Sequence, residues 1–269
     1  MRILIALLLT AIALWRTDGF SPELIESPLL STPDTGSTQW EWPIRFRYLG
    51  RGRQMFAFES EDGKYVLKFF NRHNLEVPWY LKLPISLPYW QKQRERWTEK
   101  MRIYPESYRL AIAYLPQETG LLQVHMGSSS VSYPVVEIRD RPSATYLVDL
   151  NHVPFVLQKK GSGSFLKALL TAREEGNLNQ VLDAFLAFHA KRIHCLVGDQ
   201  DRDIKRNYCW EGDHPLYIDP ARFFYDPTLQ DSERIQWEWE KVTYRLRDWL
   251  SQQIPEAVPL LDAKRKDLL

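Results

Sequence analysis

Cysteine is nearly missing from this chain: its 269 residues include only Cys195 and Cys209. Two thiols cannot build a disulfide-framework scaffold or a cysteine-based zinc site. They flank one acidic stretch, so in an oxidising compartment a bridge between them would clamp it; otherwise they read as two free, buried thiols. Excess charge is missing too. A net charge of +1 gives no bulk electrostatic case for nucleic acid. The six histidines form no ligand-spaced pair, and nothing indicates haem or flavin. No apolar run reaches the ~20 residues of a comfortable membrane span. The thirteen residues 3–15, ILIALLLTAIALW, sit between Arg2 and Arg16 and match the apolar core of a secretory signal. A buried surface-type helix would show a polar face there, and this run shows none. Leu14, Trp15 and Arg16 are too bulky for a clean small-x-small cleavage site. Residues 1–16 therefore read as a signal peptide or signal anchor, with the chain exported or membrane-associated.

Aromatic residues, by contrast, are plentiful: ten Trp and thirteen Tyr. They point to an aromatic core or to surfaces that meet a membrane or a partner. A hydrophobic content of 44% is that of an ordinary folded protein, long enough for one large domain or two lobes around a cleft. Residues 17–42, with the run STPDTGST, read as a flexible linker. The folded domain is then 43–269.

Residues 45–49, 54–59 and 65–70 alternate as strands, separated by a break at Gly50-Arg51-Gly52 and a turn at Ser60-Glu61-Asp62-Gly63. The two glycines would let backbone amides lie close to an anion. Lys68, inside VLKFF, is either an edge lysine that discourages sheet pairing or a group an anion needs. Then comes PWYLKLPISLPYW, interrupted by three prolines, and the basic QKQRERWTEKMR. Its Trp90 and Trp97 share one helical face. Aromatics beside Lys and Arg suit a membrane interface over residues 78–102; the competing reading is a surface helix whose tryptophans pack on the domain. Residues 106–115 read as a helix ended by Pro116, and 120–126, 135–138 and 155–158 as strands. Beyond Lys159-Lys160-Gly161-Ser162-Gly163 the pattern turns helical, over 164–173, 179–191 and 235–254. In the last helix Trp237, Trp239, Tyr244, Leu246, Trp249 and Leu250 read as core-facing. A strand-rich half followed by a helical half is an α+β chain with two segregated lobes.

Residues 198–223, GDQDRDIKRNYCWEGDHPLYIDPARF, gather Asp199, Asp201, Asp203, Asn207 and Asp219 around the short strand PLYI. Carboxylate and amide oxygens are hard ligands of the kind Mg²⁺ prefers. The plain alternative is a solvated acidic turn.

Taken in order, LGRGRQMFAF, VLKFF, FLAFHAKRIHCLVGDQD, DRDIKRN and LYIDPARF resemble the protein-kinase-like fold. The resemblance implies a bilobal α+β fold, with an N-terminal antiparallel sheet lobe over about 43–158 and a helical C-terminal lobe over about 159–269. It implies that Gly50 and Gly52 are the first two glycines of the phosphate loop, with Met55 where a third would stand. Lys68 would contact nucleotide phosphates and be fixed by a helix glutamate, Glu106 in preference to Glu118. Gln158 falls in the hinge on which adenine rests. Asp219 would be the principal Mg²⁺ ligand and Asn207 the second, although Pro220 and Ala221 replace the usual Phe and Gly. The family spaces its catalytic base and Asn by five residues. Asn207 lies six after Asp201 and four after Asp203, with Arg202 at the family position, so the base is either Asp201 or Asp203. SYRLAIAYLPQETGLLQVHM, EDGKYVLKFF and IDPARF are also similar to a divergent group of kinase-like proteins of chlamydia-related bacteria, over residues 48–225. The expectation is an ATP- and Mg²⁺-dependent phosphotransferase with an unspecified acceptor. The alternative is an inactive pseudokinase that binds nucleotide or a protein partner while tethered to a membrane.

Overall fold

The computed structural model describes residues 17–26, 35–36, 41–52, 54–127, 131–201 and 203–268. The apolar run at 1–16 and Arg202 lie outside them. Contacts divide the chain into two units, Met1–Arg102 with Leu121–Lys160, and Ile103–Gly120 with Gly161–Leu269.

The first unit is built on one sheet. Its strands are β1 (Thr35–Gly36), β2 (Arg45–Arg51), β3 (Met55–Ser60), β4 (Tyr65–Phe70), β5 (Leu121–His125), β6 (Val135–Arg139), β7 (Thr145–Asp149) and β8 (Phe155–Lys159). They lie in the order β1-β5-β8-β4-β3-β2-β6-β7. Every pairing is antiparallel except β2 with β6, so the expected antiparallel sheet carries one parallel pair. Alternation drives the assembly: Phe46, Phe56, Phe58, Leu67, Phe69, Phe155 and Leu157 bury one continuous apolar cluster. Each such side chain contributes about 1.5–3 kcal/mol on burial.

Phe20 and Ile25 belong to the same cluster, at 3% and 1% exposure. Phe20 meets the rings of Tyr48, Phe56, Phe58 and Tyr146 at 5.2 to 6.2 Å, and Tyr48 donates to Asp18 at 2.9 Å. Part of the stretch whose composition reads as linker is therefore docked on the sheet. Two large apolar side chains outweigh its polar neighbours.

Short helix α1 (Arg72–Leu75) follows β4, and then the 27-residue α2 (Pro88–Tyr114). The sequence starts a helix near Glu106, but α2 runs through Pro105 and Glu106 lies in its interior. Within α2, residues from Ile103 onward group with the second unit. The sheet unit is thus not one continuous span, and Glu106 is not part of it.

The second unit holds α3 (Pro116–Thr119), α4 (Phe165–Glu175), α5 (Leu178–His194), α6 (Ser232–Gln253) and α7 (Ala257–Lys266). Between them lie β9 (Gly163–Ser164), β10 (Val197–Asp199), β11 (Tyr208–Glu211), β12 (His214–Tyr217) and β13 (Phe223–Tyr225). Ser164 caps α4, its side chain accepting from Lys167 N, and Gly176 ends the helix in a left-handed conformation that glycine adopts without a Cβ clash. Helix α5 buries Val181, Leu182, Phe185, Leu186, Phe188, His189, Arg192 and Ile193. In α6, Trp239, Leu246 and Leu250 are buried as expected, but Trp237 and Tyr244 are exposed. Trp237 instead lies under Arg234 and Lys241, 4.4 and 5.0 Å from its ring centroid.

A mixed sheet unit and a helical unit make the chain α+β. Among the described residues no helix is long and apolar enough to cross a membrane.

Candidate functional site

In the sheet unit, Lys68 and Gln158 meet. β4 lies between β3 and β8, which removes the edge-lysine reading. The register sets Val66 opposite Gln158 and Lys68 opposite Val156, so Lys68 reaches diagonally across the ladder. Its Nζ donates to Gln158 Oε1 at 2.6 Å, and Gln158 is 1% exposed. Burial of an ammonium stem is tolerated when the head finds oxygen partners. Gly50 does not end its strand. β2 continues through Arg51 with a register shift between Tyr48 and Gly50, and Gly52 N donates to Met55 O at 2.9 Å.

In the helical unit, the acidic segment forms a chain of side-chain-to-backbone bonds. Asp199 Oδ1 accepts from Asp201 N at 2.8 Å, Asp201 Oδ1 from Asp203 N at 3.0 Å, and Asp203 Oδ1 from Lys205 N at 2.9 Å. Alternate aspartates thus fold the loop themselves, as Asx turns do. Asp199 is fully engaged: Tyr217 OH donates to its other oxygen at 2.8 Å. Burial pushes its pKa up to about 6 against the opposing charge of Arg192. Asp201 is half-buried and its Oδ1 accepts from Asp203 N; its partial exposure distinguishes it from buried Asp199.

Asn207 and Asp219, the two expected metal residues, are held as neighbours. Ile218 N donates to Asn207 O at 2.8 Å, so Asp219 follows directly on the pairing. The orientation of the Asn207 amide also has a cause. Tyr217 has one hydroxyl proton and gives it to Asp199, so its oxygen accepts from Asn207 Nδ2, at 3.4 Å. That turns Asn207 Oδ1 away from Tyr217 and leaves it for another partner. Asp219 is exposed. Together with burial, the larger effect, its charge holds the hydroxyl of Tyr108 well above the ordinary tyrosine range. Ser107, one turn of α2 from Ile103, places Oγ 2.8 Å from Ile103 O and 2.6 Å from Phe223 O. This ties α2 to the strand that follows Asp219.

The two glutamates weighed as partners of Lys68 both lie in the helical unit. Glu106 takes a two-point contact from Arg109, at 2.7 and 2.9 Å. Glu118 accepts from Lys191 at 2.6 Å.

Beneath the acidic loop lies a buried ionic cluster that sequence reasoning missed. Arg192, fully buried, pairs with fully buried Glu238 at 2.8 Å and donates to Val197 O at 2.5 Å. Lys241 pairs with Glu238 at 2.9 Å and donates to Asp199 O. Arg234 bridges Glu238 and Asp226, at 3.0 and 2.6 Å. His189 is kept neutral by burial and by the charge of Arg192, and its Nε2 lies 3.0 Å from Tyr208 OH. A clue was present: Arg192 follows Phe188 by four residues and so continues the apolar stripe of α5. Such a cluster adds little net stability, but removing one partner strands a buried charge.

Beside the loop runs a groove of about 510 Å³, lined by Asp201, Asp203, Lys205, Arg245, Asp248 and Trp249 among others. Cys195 and Cys209 are not joined by a disulfide, and both are half-buried. Among the described residues no group of three or more His, Cys, Asp or Glu side chains is placed to hold a metal. Mg²⁺ in nucleotide sites needs only one or two protein oxygens, with phosphate and water supplying the rest. The Asn207 and Asp219 oxygens fit that requirement.

No family model matches the chain, and no curated protein matches it. Similar solved structures include WbdD with the kinase inhibitor LY294002, at 15% identity over 82% of this chain and 46% of that one, with a TM-score of 0.40. The 2.2 Å structure of WbdD is 16% identical over 81% of this chain and 44% of its own, with a TM-score of 0.38. A structure of the bifunctional kinase-methyltransferase WbdD is 17% identical over 80% and 42%, with a TM-score of 0.36. The chain spans less than half the length of these proteins, and likeness at this level leaves the site to be argued from its own residues.

Proposed function

We propose that this chain binds ATP with Mg²⁺ and transfers a phosphoryl group. The observation that supports this most is the Asp199–Tyr217–Asn207 relay. It orients the amide oxygen of Asn207, whose backbone carbonyl accepts from Ile218 N, the residue before Asp219, so two residues with hard oxygen donors adjoin one backbone pairing. Bound Mg²⁺ would neutralise charge on the phosphates; the remaining work is positioning by the protein. Lys68, fixed by Gln158, carries the positive charge for the nucleotide phosphates. Asp201 is the favoured base over Asp203, because Asp203 Oδ1 already accepts from both Lys205 N and Arg206 N. An acceptor hydroxyl would reach Asp201 from the groove along α6.

The test is a Mg²⁺-dependent thermal shift with a non-hydrolysable ATP analogue on wild type, Lys68→Ala and Asp219→Ala. Wild type should gain stability, by about 2.7 kcal/mol at a ligand concentration one hundred times Kd, and both variants should lose most of that gain. A shift that neither substitution reduces would sink the reading. The second reading, a nucleotide-binding pseudokinase, is favoured by the six-residue spacing from Asp201 to Asn207 and by Pro220 and Ala221. Binding without autophosphorylation or transfer to any screened acceptor would select it.

A further inference from the structure

The nucleotide reading makes no use of a strongly exposed apolar stretch of the sheet unit. Within residues 79–89, Trp79 is 73% exposed, Tyr89 65% and Leu87 60%, and Tyr80 and Leu83 are each 40%. Isolated exposed apolar residues need no explanation, but a contiguous group does. Here the rings touch in series: Trp79 with Tyr80 at 6.1 Å, Tyr80 with Trp90 at 5.7 Å, and Trp90 with Tyr89 at 5.8 Å. The loop that presents them is built. Arg94, from the second turn of α2, donates to the carbonyls of Leu81, Leu83 and Ile85, and Leu81 is buried. One guanidinium thus holds three alternate loop carbonyls while Lys82, Leu83 and Pro84 stay exposed.

The charge around this surface is net positive. Residues 78–102 hold Lys82, Lys92, Arg94, Arg96, Lys100 and Arg102 against Glu95 and Glu99, six cations to two anions for a net +4. Lys82, Lys92 and Arg96 are exposed. At helical spacing Tyr89, Lys92 and Arg96 fall on one face of α2. An apolar protein groove would suit the rings and leave the cations unanswered. Anionic lipid answers both, since Trp and Tyr settle at headgroup depth, and lysine and arginine each gain from the negative surface potential.

We propose that residues 79–96 form a docking surface for an anionic bilayer, with the Trp79–Tyr80–Trp90–Tyr89 rings at the headgroup level and Leu83 and Leu87 at the acyl boundary. This surface lies on the membrane and does not span it. The full chain, its N-terminal apolar run unchanged, is co-sedimented with vesicles of phosphatidylcholine alone and of phosphatidylcholine mixed with phosphatidylglycerol. Two variants are compared with it, Trp79→Ser/Leu87→Ser/Tyr89→Ser and Lys82→Glu/Lys92→Glu/Arg96→Glu. Wild type should partition about tenfold more strongly to the anionic vesicles, with each variant falling to the neutral-vesicle level. Because all three chains share residues 1–16, the difference reports the surface alone. Should the apolar variant lose its wild-type melting transition, the charge-reversal variant decides. Wild-type binding by a folded variant would overturn the proposal, as would indifference of wild type to lipid charge. Loss of a protein partner by the variants with vesicle binding intact would also overturn it. None of these outcomes depends on nucleotide, so the phosphotransfer reading stands or falls separately.

Discussion

Tyr217 decides more at the level of single residues than its place in an apolar strand implies. It is 1% exposed, stacks on Phe188 at 5.7 Å and spends its only proton on Asp199. Removing the hydroxyl would leave Asn207 free to flip its amide and Asp199 short of a donor. Tyr217→Phe should therefore raise the Mg²⁺ concentration needed for half-maximal nucleotide stabilisation about tenfold, the usual scale for loss of a ligand-orienting partner. Stabilisation at saturating Mg²⁺ should be kept, unlike in Asp219→Ala. A magnesium titration of the thermal shift reads this directly, and an unchanged midpoint would show that Tyr217 does not orient Asn207. The acidic residues were legible in the sequence as a group, but not in their division of labour. Burial separates them: Asp199 sits inside and props the loop, while Asp201 and Asp203 line the groove. Composition gives carboxylates alike, and only packing tells them apart.

Among the elements, the long periodic segments were readable and the short ones were not. Strands β2 to β5 and β8 and helices α4 to α6 follow the two- and 3.6-residue periods that their buried faces impose. Strand β7 is as long as β5 or β8 but buries only Val148, so no apolar period shows, and the short strands β10, β11 and β13 have too few residues for one. Pro105 misled in another way: a proline usually marks a helix end because it lacks N–H and clashes with the preceding turn, yet α2 absorbs it. The charged residues of α6 misled too, since Glu238 and Lys241 are buried only because Arg192 arrives from α5 to meet them. Strand β10 depends on one small residue. Gly198 pairs with Phe224, and a Cβ there would stand 2.4 Å from the Phe224 ring. Gly198→Ala should cost about 1–3 kcal/mol, as overpacking does, in a urea denaturation curve. Gly198→Ala/Phe224→Ala should recover part of that loss relative to the sum of the two single changes. Strict additivity would mean the ring is not what the methyl meets.

For the whole molecule, the chain's folded part begins earlier than its composition indicates. Phe20 fills a ring-lined site formed by β2, β3 and β7, so Phe20→Ala should lower unfolding free energy by about 3–5 kcal/mol, the range for a buried phenylalanine. The midpoint of denaturant unfolding, followed by tryptophan fluorescence, checks this. A change below one kcal/mol, roughly the level of a surface substitution, would return residues 17–26 to the linker. The α+β division itself was legible throughout, because the sheet and helix periods occupy different stretches of sequence. That residues 103–120 group with the helical unit was not, since α2 runs through Pro105 as one helix.

The docking of Phe20 also sets an order of events during synthesis. Phe20 is made before any of its walls, and the last of them, Tyr146, follows more than a hundred residues later. At 5–20 residues per second that is on the order of ten seconds. Throughout that interval the site is incomplete, with Tyr48, Phe56 and Phe58 in place but Tyr146 not yet made, which leaves a window before docking is finished. Once β7 is complete, the sheet takes the segment and that window closes.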